Sequence, residues 1–292
     1  MTANLNEANQ PVKLADTHCH LDLNNFENDR NKVIERAKLA GIYRILIPGT
    51  DLASSWKALQ LTMEDPILFA AIGFQPNDVD NWNEQSKHEL ETLYRNHING
   101  VAKGKEKIKA IGEIGLDYYW NTTSHSLQKK VLLKQLDLAA ELNLPVVLHV
   151  REQNDASRGE CFDDLLEILK KWKKSLEESG NDLAVHPGVI HSFSGDLEIA
   201  TQAISLGFYI GVTGPVTFKN AKDRQEVISK IALDHLLLET DAPFLAPHPK
   251  RGKRNEPGNI PFIAEKIAIL HGTSLAKVAE TTNANAKKLF NW

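Results

Sequence analysis

The sequence predicts an α/β protein folded as one TIM-like (β/α)8 barrel, a single domain, and three observations carry that expectation. Eight short apolar runs rich in β-branched residues recur along the chain, and stretches with helical periodicity lie between them. No Gly-x-Gly-x-x-Gly fingerprint follows the first run, as it would in a dinucleotide-binding sheet. The runs are "VKLADTH", "YRILIPG", "LFAAIGF", "IKAIGEIG", "PVVLHV", "GVIHSF", "FYIGVTG" and "LLLETD". Each is continuous rather than alternating, which suits parallel strands covered on both faces.

Taken in order, the chain begins with the polar stretch "MTANLNEANQPVK", which has no basic region ahead of an apolar core and is therefore not a secretory signal. Residues 1–12 are expected to be a flexible tail and residues 13–292 the barrel. After the first run, "NDRNKVIERAKLA" reads as a helix that gives way to the second run at Gly41. "DLASSWKALQLTM" follows the second run, "LQKKVLLKQLDLAAELN" the fourth and "CFDDLLEILKKWKKSL" the fifth. "DLEIATQAISLG" follows the sixth, with Asp196 placed to cap its start and Gly207 to end it. "TSLAKVAETTNANAKKLF" predicts a last helix packed on the barrel. There is no internal repeat, low-complexity tract or Gly/Ser linker to divide the domain.

Composition narrows the function classes. With 42% hydrophobic residues in 292, the chain can bury a sizeable core. A formal net charge of −4 argues against gripping nucleic acid by a broad basic surface, so any polyanion has to be held locally. Bound divalent cations would supply positive charge at the site itself. The two cysteines, Cys19 and Cys161, show no disulfide-framework spacing, and a reducing, cytoplasmic setting is expected. No apolar run reaches the roughly 18–20 residues that span a bilayer, so no membrane partner is expected, and the chain is expected to work as a monomer.

In barrels of this kind catalytic residues come from the C-terminal ends of several strands. The first run ends in "ADTHCHLD", where His18 and His20 share one face of an extended chain and Cys19 faces the other way. The fourth offers Glu113, the fifth His149, the sixth His191, and the eighth Glu239 and Asp241. The remaining histidines do not follow this pattern. His88, His97 and His125 fall in polar contexts, and His186, His235, His248 and His271 read as loop or surface residues. A lone histidine after a strand is more often a satisfied polar residue than a ligand. Four imidazoles together with Glu113 and Asp241, gathered at one end of a barrel without a shared task, would be costly to bury. They exceed the demands of one tetrahedral site, so two divalent metal ions are expected, with Glu113 able to bridge them. Mg, Mn and Zn all suit mixed imidazole and carboxylate ligands. Hydrolysis follows, since paired ions activate water and stabilise the oxygens of a displacement.

These stretches, with "GEIGLDYY", "LPVVLHVRE", "GVIHSFSGD", "GVTGPVTFKNA" and "LLLETDAPFLAPHPKRGKRNEP", resemble the TatD family of metal-dependent deoxyribonucleases, from about Leu14 to about Phe290. The resemblance implies a two-metal phosphodiesterase, commonly a 3′ to 5′ exonuclease, with DNA as the partner and single-stranded or frayed ends preferred. It implies that His18, His20, Asp241 and Glu113 bind one metal and Glu113, His149 and His191 the other. The catalytic pair would be Glu113 and Asp241, the latter orienting or deprotonating the attacking water. One departure is visible, because the family's usual Gly-x-His-Pro after the third strand reads "GFQP" here, with Gln75 in place of His. Gln75 can hydrogen-bond a phosphate oxygen but cannot carry a proton.

On the substrate side, Arg151 is placed to reach the same mouth as His149, and "HPKRGKRN" concentrates Lys250, Arg251, Lys253 and Arg254 in a loop of the kind that often binds phosphate, with Arg251 and Lys253 the candidates for contact. "YYW" at 118–120 could stack on bases but reads better as packing, and Ser194-Gly195-Asp196 is explained equally by capping and by anion binding. Two other readings stand beside the nuclease: hydrolysis of another ester or amide such as a lactone, cyclic amide or aminoacyl ester, and a catalytically silent binding barrel.

Overall fold

A computed structural model describes residues 12–102, 106–120 and 122–292. Eight parallel strands pair in sequence order. They are β1 (Leu14–Asp16), β2 (Ile42–Pro48), β3 (Leu68–Ile72), β4 (Ile108–Asp117), β5 (Val146–Arg151), β6 (Gly188–Ile190), β7 (Tyr209–Val212) and β8 (Leu236–Leu238). The ring closes between β8 and β1, where Thr17 N donates to Leu238 O at 3.0 Å and His20 N to Ala242 O at 2.8 Å. The predicted barrel is therefore the observed one.

Nine helices among the described residues surround it: α1 (Arg30–Leu39), α2 (Leu52–Leu61), α3 (Ser86–Gly100), α4 (His125–Leu142), α5 (Glu160–Glu178), α6 (Leu197–Ser205), α7 (Lys222–Lys230), α8 (Ile260–Leu270) and α9 (Leu275–Phe290). Strand pleating splits the core in two. Ile45, Ile47, Ile72, Leu148 and Ile190 belong to the cluster shared with the helices. Leu46, Ala71, Ala110, Val147, Val189 and Leu237 form a second cluster, which Leu289, Phe290 and Trp292 join from the C-terminal end. Gly41 and Gly207 end helices at φ 90° and 93°, a left-handed conformation that glycine adopts without cost, and Asp196 accepts from Ile199 N at 3.0 Å as the cap of α6.

Three helices were not read from the sequence. α3 and α7 are largely polar, and α7 buries only Ile228 fully, so neither shows an apolar stripe. α8 does show one, at Ile260, Ile263, Ala264, Ile267 and Ala268, and that spacing was legible. β1 is also shorter than the first apolar run, so His18 and His20 lie beyond it in extended chain, stitched by a bridge between Cys19 and Ala242. Of the expected tail only Val12 falls among the described residues, and it packs on the core. No helix among the described residues is long and apolar enough to cross a membrane.

Candidate active site

The end of β1 is tied to the end of β8 by a buried polar lock. Thr240 Oγ1 and N donate to the two carboxylate oxygens of Asp16 at 2.5 and 2.9 Å, and Asp241 N donates to His18 O at 2.9 Å. Burial pushes the Asp16 carboxyl up to about 8, against the pull of the Thr240 hydrogen bonds. The lock sets Asp241 beside His18. Glu113 N donates to Gly49 O at the end of β2 (2.7 Å), and His191 N to Leu148 O on β5 (2.9 Å), so each side chain is fixed by its neighbouring strand. At Gly115 a Cβ would meet His149 O at 2.0 Å; only glycine allows β4 and β5 to approach so closely here, and that approach brings Glu113 to His149.

Four ligand-type atoms then face one another. His18 Nε2 and His20 Nε2 are 3.2 Å apart, they lie 3.4 and 3.6 Å from Glu113 Oε2, and they lie 3.8 and 3.5 Å from Asp241 Oδ1. Ligands held tetrahedrally at about 2.0–2.2 Å from one ion stand roughly 3.3–3.6 Å from each other. The set fits one divalent cation. On its other side Glu113 presents Oε1 to His149 Nδ1 at 2.8 Å and to His191 Nε2 at 3.6 Å. His18 and His191 stack with ring centroids 3.7 Å apart, and His18, Glu113 and His191 form a second group close enough to share an ion. The donor chemistry, imidazole with carboxylate, suits Zn, Mn or related ions.

Charge is balanced within the cluster. Burial and the His191 imidazole lower the pKa of His18. Burial also opposes charge on His20 and His149, yet Asp241 and Glu113 lift His20 to about 9, while Asp117 and Glu113 lift His149 to about 10. Glu113 and Asp241 stay well ionised despite burial because imidazoles surround them. Buried charges persist here because each has an opposite partner.

Above this cluster opens a cavity of about 820 Å³ that reaches Gln75, Arg151, Trp120, Arg224 and Phe244. Gln75 Nε2 donates to Asp78 at 2.9 Å, and Asn77, two residues on, donates to Asp117 at 3.0 Å. Asp117 in turn holds His149 Nε2 at 3.0 Å. Arg151 pairs with Asp155 at 2.8 Å and lies over the Tyr119 ring at 3.7 Å. Arg251 and Lys253 are exposed and do not line the cavity; Arg251 rests on Phe218. Their neighbour Arg254 is engaged with Asp29, binding both carboxylate oxygens at 2.8 Å. Asp196, besides capping α6, pairs with Arg158.

The aromatic triplet at 118–120, read from the sequence as packing, divides in the structure. Tyr118 does pack, stacked on His125 with its hydroxyl donated to Asp164, but Trp120 is half exposed at the cavity mouth. Asp117 and Arg224 were missed. Asp117 sits four residues beyond Glu113 on the same strand, a spacing that keeps both on one face and could have revealed it. Arg224 had no signal, being one cation in a polar helix.

The family model for TatD related DNase matches residues 15–291. The chain belongs to the TatD family. Within it, the metal-dependent hydrolase YabD of Bacillus subtilis (strain 168), whose name marks it as uncharacterized, is 39% identical over 277 residues, 95% of this chain and 98% of that protein. A Cronobacter sakazakii (strain ATCC BAA-894) protein named 3′-5′ ssDNA/RNA exonuclease TatD is 35% identical over 272 residues, covering 91% and 93%. The crystal structure of the TatD homolog YjjV from Escherichia coli K12 superposes with a TM-score of 0.83 at 30% identity, covering 96% of this chain and 99% of that one. The protein is thus a metal-dependent hydrolase of the TatD family.

Proposed function

We propose that this TatD-family hydrolase cleaves phosphodiester bonds of DNA with two divalent ions, removing nucleotides from the 3′ end of single-stranded or frayed substrates. The observation that carries the reading is the division of Glu113. One carboxylate oxygen faces His18 and His20 and the other faces His149 and His191, as expected of a bridge between two ions. His18, His20, Asp241 and Glu113 would hold one ion, and Glu113, His149 and His191 the other. Ions so held would lower the pKa of a water and offset the charge that builds on a phosphodiester.

The chain's own residues supply the rest. Asp241, whose carboxylate lines the cavity and is held ionised by the imidazoles, is suited to orient the attacking water and take its proton. Asp117 fixes the tautomer and ring angle of His149. Arg151, which gives Asp155 only its Nε–H and keeps four of its five side-chain N–H groups uncommitted to that acid, is suited to a phosphate oxygen at the mouth. Gln75, held by Asp78, can donate or accept there but cannot shuttle a proton.

The test follows end-labelled single-stranded and duplex DNA with Mg or Mn, comparing the wild type with Glu113→Ala. Stepwise shortening from the 3′ end that the variant loses is the expected result. A protein that holds two ions yet cleaves no phosphodiester would instead move the assignment to a carbonyl ester or amide.

A further inference from the structure

Arg224 lies on the largely polar helix α7, yet its side chain lines the same cavity as Glu113 and Asp241. The guanidinium is half buried, and burial lowers its pKa. Nη1 donates to Phe193 O at 3.1 Å, two residues beyond His191. Among the described residues no carboxylate pairs with it directly. The acid whose charge acts on it, Asp155, is engaged by Arg151 at 2.8 Å. The charge of Asp155 is thus set against two guanidinium groups, only one of which it binds.

A guanidinium carries five N–H donors. One of Arg224's is committed to a backbone carbonyl. Taking such a group partly out of water and leaving its donors unused is costly, unless a ligand fills them. The matching ligand is a tetrahedral oxyanion, which a guanidinium grips with two parallel charge-assisted hydrogen bonds. Among the described residues no hydrogen bond or ion pair joins Arg224 to the Glu113 cluster, so its donors are not spent on the ligand groups. Trp120, half exposed and with its ring 5.7 Å from the Arg151 guanidinium, lines the same cavity.

We propose that Arg224 is a positioning residue that binds the phosphate adjacent to the scissile one, so that the protein favours a polynucleotide over an isolated phosphodiester. The assignment rests on the phosphodiesterase reading above.

The test uses the full chain as wild type, Arg224→Ala and Arg224→Lys. Cleavage of a trinucleotide is compared with cleavage of bis(p-nitrophenyl) phosphate in the metal-loaded proteins, and binding of a fluorescein-labelled single-stranded 10-mer is followed against salt in the metal-free ones. Arg224→Ala is expected to lower the preference for the trinucleotide about tenfold and to flatten the salt slope of binding by about one unit. Arg224→Lys is expected to keep the slope and lose part of the preference, because charge survives and the fork does not. If Arg224→Ala folds poorly, the loss of preference in Arg224→Lys carries the test. An unchanged preference together with an unchanged slope overturns the assignment. A wild type that cleaves neither compound sinks the phosphodiesterase reading, and the slope alone then decides whether Arg224 meets a phosphate.

Discussion

His149 is held at both ring nitrogens, by Glu113 at Nδ1 and by Asp117 at Nε2. Among the described residues His18, His20 and His191 each leave Nδ1 buried without a hydrogen-bond partner, with Glu239 standing 3.6 Å from that of His191. Only His149 therefore has its orientation fixed by an outer carboxylate within hydrogen-bond distance, which makes Asp117→Asn informative. Losing that charge should weaken metal binding roughly 10-fold or more. Isothermal titration of the metal-free variant with Mn or Zn measures this, and affinity equal to wild type would show that Asp117 does not support the site. The six clustered residues were legible because each interrupts or follows an apolar run, where a polar side chain is conspicuous. Asp117 and Arg224 were not, because a second acid on one strand and a cation on a polar helix look ordinary until folding shows what they face.

Among the elements, the loop after β8 and helix α1 are joined by charge. Arg254 grips Asp29, the residue that starts α1, and Arg36 on the same helix pairs with Glu256 at 2.6 Å. The basic loop read as phosphate-binding thus spends one of its cations on structure. Hydrogen bonding to Arg254 pulls the Asp29 carboxyl down to about 2. Because the folded value lies below that of the unfolded chain, the stabilisation is complete above pH 4 and is lost as pH falls toward 2. The pair is partly exposed, at 32% and 29%, which discounts its worth to about 1 kcal/mol. Asp29→Asn should therefore lower Tm by roughly 2–4 °C at pH 7, and the gap should narrow to about half by pH 3. Melting curves at the two pH values decide it, and a gap that widens in acid would refute the assignment. Elements with an apolar stripe or a capping residue could be read from the sequence. α3 and α7 could not, since tertiary contact rather than pattern makes them helices.

At the scale of the whole molecule, the barrel is expected to fold without the metal. Its apolar clusters lie within and around the strands, whereas the ligand groups gather around one cavity, in the later parts of β4 and β5 and just beyond β1, β6 and β8, and offset one another's charge. This arrangement separates the protein from small domains whose folding energy is their metal-binding energy. The barrel was legible for the same reason: eight apolar runs must be covered on both faces whatever the strand ends carry. Chelation should accordingly leave far-UV circular dichroism unchanged and lower Tm by roughly 5–10 °C. That is the loss expected when an ion present at about 100 times its Kd contributes about 2.7 kcal/mol. Re-addition of Mn or Zn should restore the Tm. With a formal charge of −4 the chelated protein should also hold oligonucleotides more weakly, and gain affinity on re-addition as positive charge returns where a phosphate would sit. Scanning calorimetry with and without chelator measures the first effect and fluorescence anisotropy the second. An unaltered Tm would contradict a metal held by the Glu113 cluster, and an unaltered oligonucleotide affinity would contradict a phosphate held beside it.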